Sequence, residues 1–448
     1  MTTPLQAARH ARGWSQARAV SELLRLARWK RIDVASATSL KTQLSRWENG
    51  HVTPDYYQGL LCEVYGSTPV ELGFGIQELS NGSSKERSHG TALIAKREWT
   101  RDDIRSLSAS FDAAVSGSVL ADIEMLAHEW LTADTPQLIE LSAGRRVSDS
   151  LVETTEHRVI QLRRADDYMS GRTSHTLVHQ ELQATTKLLD EAALTEDQTR
   201  RLLTATGELA QLAAWVTADA GFYKQAASYA EGGILAAHAA GNAPLAGNII
   251  STLSYQLANT GNPRQAAMLA RTAYAGARHS ATATTKALLL ERIAWADAKS
   301  GDLISCERAL GQVEENFDHA KPDDDPDWVY WLNRGEIDVM AGRCFTELKQ
   351  PARAEPLLRN ATSGYDNALV RENALYLSWL AEDYTLLNEM GVAAEVATHV
   401  LELGSRANSA RTDERLRHLA RLLRRYRDIQ AVASFLDQYK HLDLRNPQ

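Results

Sequence analysis

The sequence predicts an all-α protein, and three observations carry that reading. Ala and Leu dominate, while prolines number only 11 in 448 residues. Segments with helical apolar spacing begin and end at recognisable capping residues. From residue 201 onward, one helix-pair pattern recurs along the chain. Runs of β-branched residues are few, so the composition favours helices. A chain of this length holds two or three domains.

Residues 1–75 read as five short helices. Thr3-Pro4 opens the first, with Thr as N-cap and Pro at the first helical position, and Gly13 ends it. Ser15 caps a second helix that runs to about Trp29. A loop, KRIDVASAT (30–38), follows. Ser39 caps the third helix, which stops at Asn49-Gly50. Thr53-Pro54 opens a fourth, and Thr68 to Glu71 forms a capping box for the fifth. Residues 76–95 are rich in Ser, Gly and charge and read as a linker. Residues 96–200 form a helical connecting region, with amphipathic segments such as DIEMLAHEWL and TLVHQELQATTKLL. A repeat domain spans 201–430, and 431–448 is a C-terminal tail.

Within the repeat domain, segments starting at residues 221, 261, 301, 349 and 388 align. Each carries apolar or small residues at i, i+4 and i+7: Ala226/Ala230/Gly233, Ala266/Ala270/Ala273, Cys306/Leu310/Val313, Ala354/Leu358/Ala361 and Ala393/Ala397/Val400. Seven residues before each start stands a small residue (Ala214, Ser254, Ala294, Gly342, Ala381), which lets two antiparallel helices approach closely. The pattern resembles tetratricopeptide repeats (TPR), with helices longer than the 34-residue type, and implies a right-handed α-solenoid.

The third helix of the head, SLKTQLSRWENG, has an apolar stripe (Leu40, Leu44, Trp47) opposite Lys41, Thr42, Ser45 and Arg46. Residues 1–75 hold nine Lys/Arg and six Asp/Glu, whereas the whole chain carries −8, which leaves −11 on the rest. A basic head on an acidic body suits contact with a polyanion. The motifs RGWSQ (12–16), LSRWENG (44–50) and TPD (53–55) resemble the phage-repressor, or xenobiotic-response-element, type of helix-turn-helix (HTH) domain. With KTQLSRWENG, LLCEVYG, ELAQLAAWVTADAG and AEPLL, the whole chain is similar to HTH–TPR regulators, actinobacterial members especially, and to the peptide-sensing regulators of Gram-positive bacteria. The resemblance implies that the third helix enters the major groove of double-stranded DNA. Lys41, Thr42 and Arg46 would then face base edges, with Ser45 on the same DNA-facing side and Leu40 at a thymine methyl, while Ser15, Gln16 and Asn49 hold phosphates. Arg9 would pair with Glu48. It also implies a transcription regulator; since one such head makes few base contacts, a homodimer on paired half-sites is expected.

Six residues before each repeat start stand Trp215, Tyr255, Trp295, Arg343 and Glu382, a position that lines the concave groove in TPR geometry. The first three form an aromatic ladder. With Gln211, Asn248, Ser251, Asn259 and Glu291 they make a candidate binding groove for a peptide or small molecule. The acidic groups nearby (Glu208, Asp219, Glu291, Glu336, Glu347, Glu382) favour a ligand with an amine. A protein-interaction adaptor, localised to DNA by its head, is the alternative function.

His175 and His179 stand i, i+4 on a helix, but spacing supplies no third metal ligand. KPDDDPDW (321–328) reads as a solvated acidic loop without calcium-loop spacing. In the basic helix 411–428, Leu416, Leu419, Leu423 and Tyr426 are expected to cap the repeats. No phosphate-binding glycine loop, nucleophile elbow or HExxH occurs, so neither catalysis nor a cofactor is expected. Three cysteines (Cys62, Cys306, Cys344) without a CxxC pair, no signal peptide and no run of eighteen apolar residues point to a cytoplasmic protein off the membrane.

Overall fold

The structure, a computed structural model, describes residues 3–30, 34–48, 57–65, 72, 89–116, 123–138, 141, 144–168, 171–363, 369–407 and 409–443. Helices make up nearly all of these residues. The chain divides into two compact units, residues 1–86 and 87–448.

In the first unit, α1 (Pro4–Ala11) is capped by Thr3, whose side chain accepts from the Gln6 N–H, with Pro4 at the first position as expected. Gly13 then turns the chain at φ +66°. Ser15 Oγ accepts from the Arg18 N–H (3.2 Å) to open α2 (Gln16–Lys30). The third helix, α3 (Ala37–Glu48), begins earlier than expected. Its cap is Ser36, whose Oγ accepts from the Ser39 N–H at 3.4 Å; Ser39 itself lies inside the helix. The earlier start lets the Leu40 N–H bond the Ser36 carbonyl (2.8 Å) and aligns Leu40, Leu44 and Trp47 on one buried face. They pack with Leu5, Val20, Leu23, Leu61 and Tyr65, the last two from α4 (Gln58–Tyr65). Asn49-Gly50, Thr53-Pro54 and the 68–71 capping box lie outside the described residues.

The second unit opens with α5 (His89–Ile94), α6 (Arg101–Ser116), α7 (Ile123–Thr132), α8 (Asp149–Asp166) and α9 (Gly171–Glu191). Two short parallel pairings tie this region: β1 (Glu98–Trp99) with β2 (Gln137–Leu138), and β3 (Arg145–Arg146) with β4 (Ala192–Ala193). The last residues of the expected linker are therefore helical: α5 buries Leu93 and Ile94, at 3% and 0% exposure. Those two side chains remove too much apolar surface from water to be left in a solvated tether.

Five helical hairpins follow: α10 (Glu196–Asp219) with α11 (Tyr223–Ala239), α12 (Ala243–Asn259) with α13 (Pro263–Ala277), α14 (Ala283–Lys299) with α15 (Leu303–Phe317), α16 (Arg334–Glu347) with α17 (Pro351–Ser363), and α18 (Val370–Leu386) with α19 (Met390–Ala407). The first helix of each hairpin also packs on the first helix of the next. The small residues sit where two helices close. Ser254 Oγ donates to the Ala266 carbonyl at 2.7 Å, and a Cβ on Gly342 would lie 2.7 Å from Leu358 Cγ.

The five repeat starts share one backbone feature. Gly221, Gly261, Gly301, Lys349 and Asn388 all have positive φ, between 58° and 101°. Each follows the first helix of its hairpin, and the next N–H reaches back five residues: Phe222 to Thr217, Asn262 to Leu257, Asp302 to Asp297, Gln350 to Phe345 and Glu389 to Tyr384, all at 2.8–3.0 Å. This is the left-handed helix stop that glycine adopts most easily and asparagine next.

The chain ends in α20 (Ala410–Leu423) and α21 (Gln430–Asp443). Leu416, Leu419 and Leu423 are buried against α19, with Tyr426 packed partly buried beside them, as expected. The expected tail is instead mostly helix α21, because Val432, Phe435 and Leu436 share one face and are buried. Among the described residues no helix is long and apolar enough to cross a membrane.

Candidate functional site

Two surfaces hold the residues singled out from the sequence. The first is α3. Lys41, Thr42 and Arg46 are exposed and Ser45 is half-buried on the face opposite the core. Leu40 is 1% exposed and belongs to that core, so it has no methyl to offer a base. Helical periodicity put it with Leu44 all along, and the base-contact expectation is corrected. Arg9 and Glu48 do pair, through Nε–Oε1 at 2.5 Å and Nη2–Oε2 at 2.9 Å. Gln16 Nε2 also donates to Glu48 Oε2, at 2.9 Å. Its side chain is engaged inside the unit rather than free for phosphate, while Ser15 is exposed and occupied as a cap. Asn49 lies outside the described residues.

The second surface is the inner face of the hairpins. The aromatic ladder forms: Trp215 and Tyr255 rings lie 6.2 Å apart, Tyr255 and Trp295 6.3 Å. Trp379 adds a rung, edge-on to Trp295 at 5.5 Å. Arg343 sits among these rings, 4.6 Å from the centroid of Trp295, 5.3 Å from Trp379 and 5.5 Å from Tyr255. Its Nη2 donates to the Tyr255 hydroxyl at 2.8 Å, while its Nε has no hydrogen-bond partner.

A cavity of ≈ 250 Å³ opens beside this group. Of the eight expected ligand residues, Trp215, Tyr255 and Asn259 line it. Gln211, Asn248, Ser251, Glu291 and Trp295 do not; each is buried, at 8% exposure or less. Gln211 accepts from Arg163 Nη1 of α8 at 2.7 Å, Ser251 bonds its own helix, and Trp295 Nε1 donates to Asn259 Oδ1 at 3.2 Å. That part of the groove is filled by the chain itself. α8 packs on α10, and the segment after α15 brings a turn at Asp327–Val329 against α8 and α14. Residues 321–324 and 327 of the expected solvated loop 321–328 are exposed, and the loop is anchored at its end by Trp328, which is 2% exposed.

The charge of the open part reverses the expected preference for an amine. Six Lys/Arg side chains line the cavity against four carboxylates. The missed cations come mainly from α20, where Arg411, Arg415, His418 and Arg421 share one face. Arg411 stacks over Trp215 (4.7 Å) and Arg415 over Trp379 (3.6 Å). Glu382 is buried, which opposes its charge, yet His418, Arg415 and Lys349 hold it well below the usual carboxylate range. Burial also opposes ionisation of Tyr255, but Arg343, Arg411 and Arg292 bring its phenol down to about 7. A pocket that favours a phenolate is electropositive.

The signal for these residues was present in part. Arg343 stood in the ladder row itself, and the 4-3-3 spacing of the basic residues on α20 marked a single helix face. Trp379 lies three residues before the row position Glu382, so no fixed spacing pointed to it. His175 and His179 stack on each other, with rings 6.2 Å apart, and His179 Nδ1 meets the Tyr229 hydroxyl at 3.1 Å. No protein-family model matches the chain, and no curated protein matches it significantly.

Proposed function

We propose that the chain is a sequence-specific DNA-binding transcriptional regulator, with an HTH head and a right-handed TPR-like α-solenoid body that senses a ligand. The observation that carries this reading is the division of α3. Its apolar face and Glu48 are locked into the head, while Lys41, Thr42 and Arg46 are exposed to water at helical spacing, Thr42 with its hydroxyl also donating to the Thr38 carbonyl at 3.3 Å. An exposed Arg on such a face can bind guanine O6 and N7 bidentately, and Thr42 and Lys41 suit neighbouring base edges or phosphates. The open cavity among the hairpins supports the sensing half of the proposal. A homodimer in the cytoplasm completes it, since one such helix reads few base pairs and paired half-sites supply the rest.

Selection of random duplexes by the full-length protein tests the reading. It should enrich one motif, and Arg46→Ala should cost roughly 1–3 kcal/mol at one base pair of that motif. No enriched motif, or an unchanged preference in the variant, would sink the proposal.

A further inference from the structure

We infer that the open cavity receives an organic anion, a carboxylate or phosphate ester with an aromatic or apolar body. The inference rests on the sensing reading above and gives the ligand its chemical class. Arg343 is the central observation. It is 5% exposed, yet among the described residues no carboxylate pairs with it, and its Nε is unpartnered. A buried guanidinium without a carboxylate partner is poorly compensated for its lost hydration, and this one faces a cavity in which an incoming anion can supply the missing charge.

The carboxylates in the wall do not supply that anion. Asp219 is held by Arg411 at 2.5 Å and by Arg371 at 3.6 Å. Glu382 answers Lys349, Arg415 and His418 at 2.8–3.3 Å, one carboxylate for three basic groups. Glu347 pairs with Lys299 at 3.2 Å, and Glu414 is exposed at the rim. The positive surplus therefore remains at the floor, next to Arg343. Trp215, Trp379 and Leu375 give the same cavity apolar walls. Flat aromatic surface beside a guanidinium fork fits a planar acid better than a bare ion.

The test is thermal denaturation and calorimetric titration of the full chain, without DNA, using four probes of similar size: phenylacetate, phenyl phosphate, neutral phenylacetamide and phenethylamine. At least one anion should bind and raise the melting temperature, and the stronger of the two names the acid. The amide and the amine should do neither. Arg343→Met should weaken the bound anion roughly 10- to 100-fold, the loss expected for one charge-assisted contact. Arg421→Gln, at the exposed rim, should weaken it less and guards against a folding artefact in the first variant. The inference is overturned if no anion binds, if the amine or amide binds as well, or if Arg343→Met binds as wild type does. DNA affinity separates the two proposals. An anion that binds without changing DNA affinity ends the sensing reading alone. An amine that binds and changes it ends this one alone.

Discussion

The two halves of the hairpins' inner face differ in what fills them. Around Gln211 and Glu291 the face is closed, with α8 packed on α10 and the Asp327–Val329 turn on α8 and α14. Each polar group named there is buried at 8% exposure or less. Around Trp215, Tyr255 and Asn259 the same helices face an open cavity. Two buried arginines of this face show what the interior can do with the same side chain: Arg371 is given anions and Arg343 is not. Arg371 of α18 meets Asp166 of α8 at 3.3 Å and Asp219 of α10 at 3.6 Å. Arg343 of α16 meets a phenol and three aromatic rings. The same residue type thus serves as a clamp at Arg371 and as an unsatisfied charge at Arg343. The difference teaches that burial alone does not mark a structural residue; the partner does.

That contrast can be broken most sharply at Arg371. Its removal leaves Asp166 without its guanidinium partner in the interior and frees the end of α8 from α18. Arg371→Ala should cost about 3–5 kcal/mol in urea denaturation, the penalty for half a buried ion pair. A loss under about 1 kcal/mol would show that the closed half is not held this way.

Glu291 sharpens the picture of the closed half through pH. Burial pushes its carboxyl up to about 8, from an ordinary value of 4.5, against the pull of Arg292. The folded chain therefore keeps a proton between pH 4.5 and 8 that the unfolded chain has released. Stability from this group is complete below pH 4.5 and is lost as pH rises towards 8, by at most about 1.4 kcal/mol per pH unit. Glu291→Gln, which mimics the protonated acid, should match wild type near pH 4.5 and exceed it near pH 8. Tyr255 and Asp383 titrate in both proteins, so the difference between the two curves isolates Glu291. Parallel curves would mean that Glu291 is ionised throughout.

Much of this layout was legible in the sequence. The repeat starts coincide with the left-handed helix stops, because such a stop selects Gly or Asn and fixes the register of each hairpin; Lys349 is the exception a pattern search would reject. Arg9–Glu48 and the inward face of α3 followed from helical spacing. Position along a helix does not say what lies above it, however. Gln211 shares the periodicity of Trp215, yet the chain's return through α8 covers it, with Arg163 donating to its side chain, while Trp215 lines the cavity. Contacts between residues more than 40 positions apart decided which polar face stayed wet. The sign of the cavity's charge failed for the same reason: four of its basic side chains arrive from α20, some 200 residues after Trp215.

The smallest expected effect is the most telling for the open half. Arg343→Met keeps the length and bulk of the side chain while removing its charge. The variant loses the contacts to Tyr255, Trp295 and Trp379, each worth roughly 0.5–2 kcal/mol. It also loses the cost of holding a guanidinium out of water without a counter-ion, several kcal/mol of opposite sign. The Tyr255 hydroxyl can turn to the water of the cavity it lines. The two sums nearly cancel, so Arg343→Met should change stability by no more than about 1 kcal/mol in either direction. Denaturation at neutral pH, side by side with Arg371→Ala, measures the contrast directly. A loss of 3 kcal/mol or more at Arg343 would make it a clamp like Arg371, and the two halves would then differ only in how much water they hold.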